Sequence, residues 1–179
     1  MVVGALQNLG LRIERLLQKS RAEAGPAVVS QPADLVSVAE LVIDSYYYLP
    51  LERQIDFDDG GYTALPVALD QDALAIVLQN LIDNAIAYSP AKSKIRVCVA
   101  SGPSIHIAND GAVIGADELV SIRSRFQRGS QSKPSGFGLG LSIVQQILRD
   151  AGGTLDLRSP AAGRDTGFEA VVTLRAAPG

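Results

Sequence analysis

A chain of 179 residues, 47% of them hydrophobic, can bury one substantial core with a short appendage beside it. Its formal net charge of −3 and its scattered Lys and Arg leave no basic footprint for a nucleic-acid backbone or an anionic membrane, so any phosphate binding must be local. One cysteine, Cys98, excludes an internal disulfide and a cysteine metal cluster, and its apolar alternating stretch predicts a small buried hydrophobe. No run of ~20 apolar residues escapes a charge or a breaker, and no signal peptide opens the chain, so a soluble cytoplasmic protein without direct membrane contact is expected.

In chain order, Val2, Leu6, Leu9, Ile13 and Leu16 recur at steps of four and three, the seam of a helix that packs on other helices. Gly25-Pro26 stops it, and a linker over 26–32 leads to the main domain, 33–176. Leu35, Val38, Leu41, Val42 and Ser45 predict a second helix over 34–49, closed by Pro50. Short β-like runs at 54–58 and 62–67 flank Asp58-Asp59-Gly60-Gly61 and predict a hairpin. Leu74, Val77, Leu78, Leu81, Ile82 and Ala85 mark the clearest helix, with Asp70 as N-cap and Pro90 as its end.

Strands at 94–100 and 104–108, joined through Gly102-Pro103, lead to Asn109-Asp110-Gly111. A polar stretch of about 25 residues then runs to Gly140, long enough for a connection that it reads as functional or mobile. A helix over 140–151 ends at Gly152-Gly153, and strands at 154–159 and 168–174 finish the chain. The elements predict an α/β fold, a mixed sheet covered by helices on one face.

On the long helix, Asn80 and Asn84 stand four residues apart and share a face, with Asp83 close by. Amide oxygens can ligate a hard cation without placing extra negative charge beside phosphates. The alternative is an ordinary solvated helix face. Gly136-Phe-Gly138-Leu139-Gly140 runs directly into an apolar helix, where backbone N–H groups and the helix N-terminus favour an anion. It is not the P-loop pattern, because no Gly-Lys-Ser/Thr follows, and taken alone it could equally be a hinge.

Together these segments resemble histidine kinases. The run Asn80-Leu-Ile-Asp-Asn84-Ala-Ile-Ala-Tyr88-Ser-Pro90 resembles their asparagine box, Asn109-Asp-Gly111 their first glycine box, and Gly136 to Val144 their second, in the same order and spacing. The resemblance implies a two-layer α/β sandwich, a mixed sheet under three helices, preceded here by an N-terminal helix over 1–25 left over from a dimerisation bundle. It implies ATP and Mg²⁺ as ligands: Asn84 and Asn80 for the metal, Tyr88 against the adenine, Gly111 at the base, and Gly136, Gly138, Leu139 and Gly140 at the phosphates. The polar stretch would be an ATP lid, with Phe126 as packing anchor, Arg128 at the terminal phosphate and Lys133 as a second contact. Asn84 and Arg128 would then carry the catalytic roles.

Three positions depart from the family pattern: Ala87 replaces a phosphate-contacting Lys, Val113 a second Gly, and Asn109 the Asp that accepts the adenine amino hydrogen. Each is expected to weaken one contact. His106, the one histidine, sits on a strand face opposite Ile105, Ile107 and Asn109, with no helix, neighbouring carboxylate or exposure to suggest a phosphoacceptor. The acceptor histidine is therefore expected on the dimerisation and phosphoacceptor domain of a homodimeric parent, which would pass phosphate to a response regulator; an inner-membrane sensor is one form that parent could take. Two rivals remain: a degenerate nucleotide binder without kinase activity, and an ATPase of the same fold. The ATPase would need a glutamate where this chain has Asn80.

Overall fold

The structure, a computed structural model, describes residues 31–49, 54–127 and 138–178. The seam helix, the first part of the linker, Arg128, Lys133 and Gly136 lie outside the described residues, as do the side chains of Phe126, Gly138 and Leu139.

Strand β1 (Ala33–Asp34) pairs antiparallel with β3 (Pro66–Val67) in a two-stranded sheet. Helix α1 (Leu35–Asp44) begins where Asp34, in extended conformation, accepts hydrogen bonds from the Val36 N–H at 3.0 Å and the Ser37 hydroxyl at 3.0 Å. The same carboxylate accepts from the Leu65 N–H at 2.9 Å, so one side chain caps the helix and fixes the strand opposite it.

That pairing corrects the expected hairpin at 54–67. The turn itself is real: the Asp58 and Asp59 carboxylates accept from the N–H groups of Gly60 and Gly61, both at positive φ. Residues 66–67, however, leave for β1, while β2 (Ile55–Asp58) runs parallel to β4 (Ile95–Ala100). Ile55 and Phe57 there lie beside Ile95 and Val97, an apolar match along the strand. A parallel neighbour requires a long crossover, and helix α2 (Gln71–Tyr88) lies within it.

The main sheet has the order β2-β4-β5-β7-β6, antiparallel except for β2 against β4. Strand β5 is Ser104–Asn109, β6 Thr154–Arg158 and β7 Phe168–Thr173. Ile95, Val97, Val99, Ile105, Ile107, Ala170, Val172 and Leu157 are buried on one face. Helices α1, α2 and α4 (Gly138–Ala151) cover that face, as expected for this fold class. Helix α2 is central, capped by the Asp70 carboxylate on the Asp72 and Ala73 N–H groups, and it buries all six predicted apolar positions.

A further helix, α3 (Ala116–Gln127), lies within the stretch read as a polar connection. Its sequence is mostly polar; Ile122 is buried, Leu119 is half-buried and Val120 is exposed. Cys98 is also corrected, since it is half-buried on the sheet's other face beside Asp58 rather than in the core. Among the described residues no helix is long and apolar enough to cross a membrane.

Burial raises the Asp34 carboxyl pKa, but the hydrogen bonds from Leu65, Ser37 and Val36 outweigh it and hold the group below its ordinary value. A depressed carboxyl pKa stabilises the fold above the unfolded-state value and loses that contribution as pH falls. Asp34→Ala should therefore cost about 1–2 kcal/mol at neutral pH, and urea titrations should show the gap to wild type closing below about pH 4.

Candidate functional site

The C-terminal half of α2, the end of β5, the loop after it, the start of α4 and β7 surround a cavity of about 330 Å³. This is the size of a small-ligand site. Leu81, Ile107, Leu141, Phe168 and Ala170 make its walls apolar, while Asn84, Tyr88, Asn109 and Glu118 bring the polar groups. On α2 the apolar side, Leu78, Leu81, Ile82 and Ala85, is buried in the core, and Asn84 and Tyr88, one turn apart, flank the cavity. Tyr88 is 38% exposed, and burial of the remainder raises its phenol pKa.

Asn109 is 1% exposed and makes two hydrogen bonds across elements. Its Nδ2 donates to the Ala85 carbonyl of α2 at 3.2 Å, and its Oδ1 accepts from the Phe168 N–H of β7 at 3.2 Å. Exchanging the amide's oxygen and nitrogen would break both bonds, so the partners fix its orientation. The loop that follows is anchored by the outer hairpin. Ile114 N–H donates to the Ser159 hydroxyl at 2.9 Å, that hydroxyl donates to the Gly167 carbonyl at 2.8 Å, and Gly167 N–H donates to the Gly111 carbonyl at 2.9 Å. Arg164 pairs with Asp110.

Two glycines are required by close approach. A Cβ on Gly111 would lie 2.9 Å from the Tyr88 carbonyl oxygen, and one on Gly140 would lie 2.8 Å from the Asn80 Oδ1. The second contact joins two segments that the sequence assigned to one site, the asparagine helix and the start of α4. Asn80 Nδ2 donates to the Ile76 carbonyl at 2.8 Å, leaving the oxygen toward Gly140. The Asn84 Nδ2 is buried with no hydrogen-bond partner among the described residues.

Asp83 separates from its neighbours: it accepts from the Tyr46 hydroxyl at 2.8 Å and belongs to the contact between α2 and the segment after α1. Burial and the Asp83 charge push the Tyr46 phenol pKa far up. Ala87 is exposed and lines no part of the cavity, whereas Val113, 50% exposed, sits on its rim. Of the expected lid residues, Phe126 has its backbone in α3; of the residues expected at the phosphates, Gly138 and Leu139 open α4.

Sequence reasoning missed the cavity's walls, because Leu81 follows the same periodicity as the core and Phe168 is placed only by its pairing with Asn109. Glu118 had no signal, since its helix went unread. His106 points to the opposite sheet face, as expected, but the expectation of no neighbouring carboxylate is corrected: Glu169 Oε1 lies 3.0 Å from its Nδ1. The two stand on adjacent strands, a proximity that needed the β5–β7 pairing to see.

The family described as histidine kinase-, DNA gyrase B- and HSP90-like ATPase matches residues 69–178, the span from the cap of α2 to the last strand. The chain belongs to this family. Sensor protein QseC of Salmonella typhimurium is 38% identical over 170 residues, which are 90% of this chain and 35% of that protein. The signal transduction histidine-protein kinase/phosphatase MprB of Mycobacterium ulcerans is 26% identical over 167 residues, 90% of this chain and 32% of that one. The chain thus spans about a third of the length of these curated relatives.

Two solved structures share the fold. The cytoplasmic segment of histidine kinase QseC matches with a TM-score of 0.67 at 19% identity, over 97% of this chain and 91% of that one. Mycobacterial sensor histidine kinase MprB matches with a TM-score of 0.67 at 23% identity, over 83% and 99%. The chain therefore carries the ATP-binding catalytic domain of the histidine kinase type.

In this domain Gly111 holds the cavity loop against the end of α2. Gly111→Ala should lower stability by about 1–3 kcal/mol through overpacking on the Tyr88 carbonyl, read as a fall in the denaturation midpoint. An unchanged midpoint would mean that the loop moves aside freely.

Proposed function

We propose that this chain is the nucleotide-binding part of a two-component sensor kinase, which transfers the γ-phosphoryl group of ATP to a histidine on a helical bundle domain of the same parent. The observation that carries the reading is the meeting of Asn80 with Gly140 beside a cavity lined by Asn84, Asn109 and Gly111. A purine fits the apolar walls of Leu81, Ile107 and Ala170, with its polar edge toward Asn109 and Tyr88 along its side. The phosphates would then run toward the first turn of α4, where the N–H groups that a helix leaves without an intrahelical partner and the helix dipole favour anions.

The donor set suits Mg²⁺. Among the described residues no three His, Cys, Asp or Glu side chains gather as a metal cluster. Asn80 has its nitrogen spent on the Ile76 carbonyl, which leaves its amide oxygen for a cation, and Asn84 lines the cavity one turn further along α2. Neutral amide oxygens suit a cation that takes its other ligands from phosphates and water. Asn84, with Asn80, would hold Mg²⁺, which when bound neutralises phosphate charge. Arg128 is assigned to the terminal phosphate, Lys133 to a second contact, and Phe126 to anchoring the lid. Positioning and charge neutralisation are what phosphoryl transfer asks of a protein.

His106 does not serve as acceptor in this reading: it is held by Glu169 on the face of the sheet away from the cavity. Hydrolysis is disfavoured because Asn80 offers no carboxylate to activate water. The parent is proposed to be a homodimer that works on the cytoplasmic side and phosphorylates a response regulator.

Calorimetric titration tests the binding step. ATP should bind in the micromolar to millimolar range, more tightly with Mg²⁺, and Asn84→Ala should lower affinity by about tenfold in Mg²⁺ while removing the metal dependence. No binding at millimolar ATP would overturn the reading, and an unchanged metal dependence would place the metal elsewhere.

A further inference from the structure

One wall of the cavity is a loop that belongs to no helix or strand. Gly111, Ala112, Val113 and Ile114, between β5 and α3, all line the space. Among the described residues, the hydrogen bonds and the ion pair that hold 110–114 all run to one segment, the β6–β7 loop over 159–167. The Gly111 carbonyl accepts from the Gly167 N–H, Asp110 pairs with Arg164, and the Ile114 N–H donates to Ser159. A Cβ on Gly167 would stand 2.3 Å from the Asn109 carbonyl oxygen, and the residue sits at a φ of +91°, so glycine is what lets the two segments approach this closely.

These ties are unequal. Asp110 is 42% exposed, and solvent weakens its pairing with Arg164. The Ser159 hydroxyl is part-buried and works in both directions, accepting from the Ile114 N–H at 2.9 Å and donating to the Gly167 carbonyl at 2.8 Å. One oxygen thus joins the wall to the residue that also holds Gly111, and its removal would orphan a donor and an acceptor at once. We infer, building on the nucleotide reading above, that Ser159 is a positioning residue for nucleotide binding. It does not line the cavity; it acts through Ile114, fixing the wall where the base needs it. Without the relay each entering ligand must order 112–114 itself, and that entropy cost lowers affinity. The loss is confined to this wall, because Asn80 keeps its own bond to the Ile76 carbonyl on α2.

Calorimetric titration of the full 179-residue chain with ATP, with and without Mg²⁺, tests this. Ser159→Ala, checked for folding by its melting curve, should bind ATP about five- to tenfold more weakly, with the affinity gain from Mg²⁺ unchanged. Ser159→Thr keeps the hydroxyl and should stay within about twofold of wild type. An Ala variant within about twofold of wild type would overturn the inference. So would a Thr variant as weak as Ala, or an Ala variant that loses its Mg²⁺ dependence, since either would mark a general disturbance of the fold. If Ser159→Ala does not fold, Ser159→Cys replaces it: the thiol is a weaker donor and acceptor, so binding about two- to fivefold weaker is expected, and unchanged binding would overturn the inference. Failure of the wild type to bind ATP would remove the nucleotide reading itself, a result distinct from a selective loss at Ser159.

Discussion

The carboxamide of Asn109 joins three elements at one point, giving α2 a donor at Ala85, β7 an acceptor at Phe168, and fixing the last residue of β5 between them. A buried amide is tolerated only with its polar groups paired, so the three elements cannot drift apart without orphaning a donor and an acceptor. The cavity lies beside this junction, walled by the same α2, β5 and β7. The loop that closes it is in turn held by Ser159, Gly167 and Arg164 from the outer hairpin, so the floor and rim of the site derive from the sheet's own connections.

Helix α2 divides its surface between two tasks. Leu74, Leu78 and Ile82 are fully buried with the core strands, and Asp83 bonds to Tyr46 of the segment after α1. Asn80, Asn84 and Tyr88, spaced by one turn, are turned to the cavity and to the start of α4. The packing that secures the helix therefore also sets the spacing of the groups proposed to meet Mg-ATP. Rigid placement of this kind lowers the ordering cost of binding a charged ligand.

Much of this was legible from local pattern. The periodicity of α2, its Asp70 cap and the β4–β5 hairpin all follow from short-range chemistry, and the structure reproduces each element. What was not legible depended on distant partners. The 54–67 segment carries a genuine Asp-Gly turn, yet its strands separate because Asp34 takes the Leu65 N–H and β4 offers β2 an apolar neighbour. Helix α3 is mostly polar in sequence and reads as a connection, and Glu169 reaches His106 only through the β5–β7 register. At Asn109 the sequence indicated a weakened contact; the structure adds that its amide is also a structural tie, which no spacing rule announces.

A crystal structure of the chain with Mg²⁺ and a non-hydrolysable ATP analogue tests the central claim most directly. The predicted result is a purine among Leu81, Ile107 and Ala170 with its six-position edge on Asn109, and phosphates directed toward the first turn of α4. A base lying outside this cavity, or phosphates directed away from α4 with Asn84 distant from the metal, would contradict it.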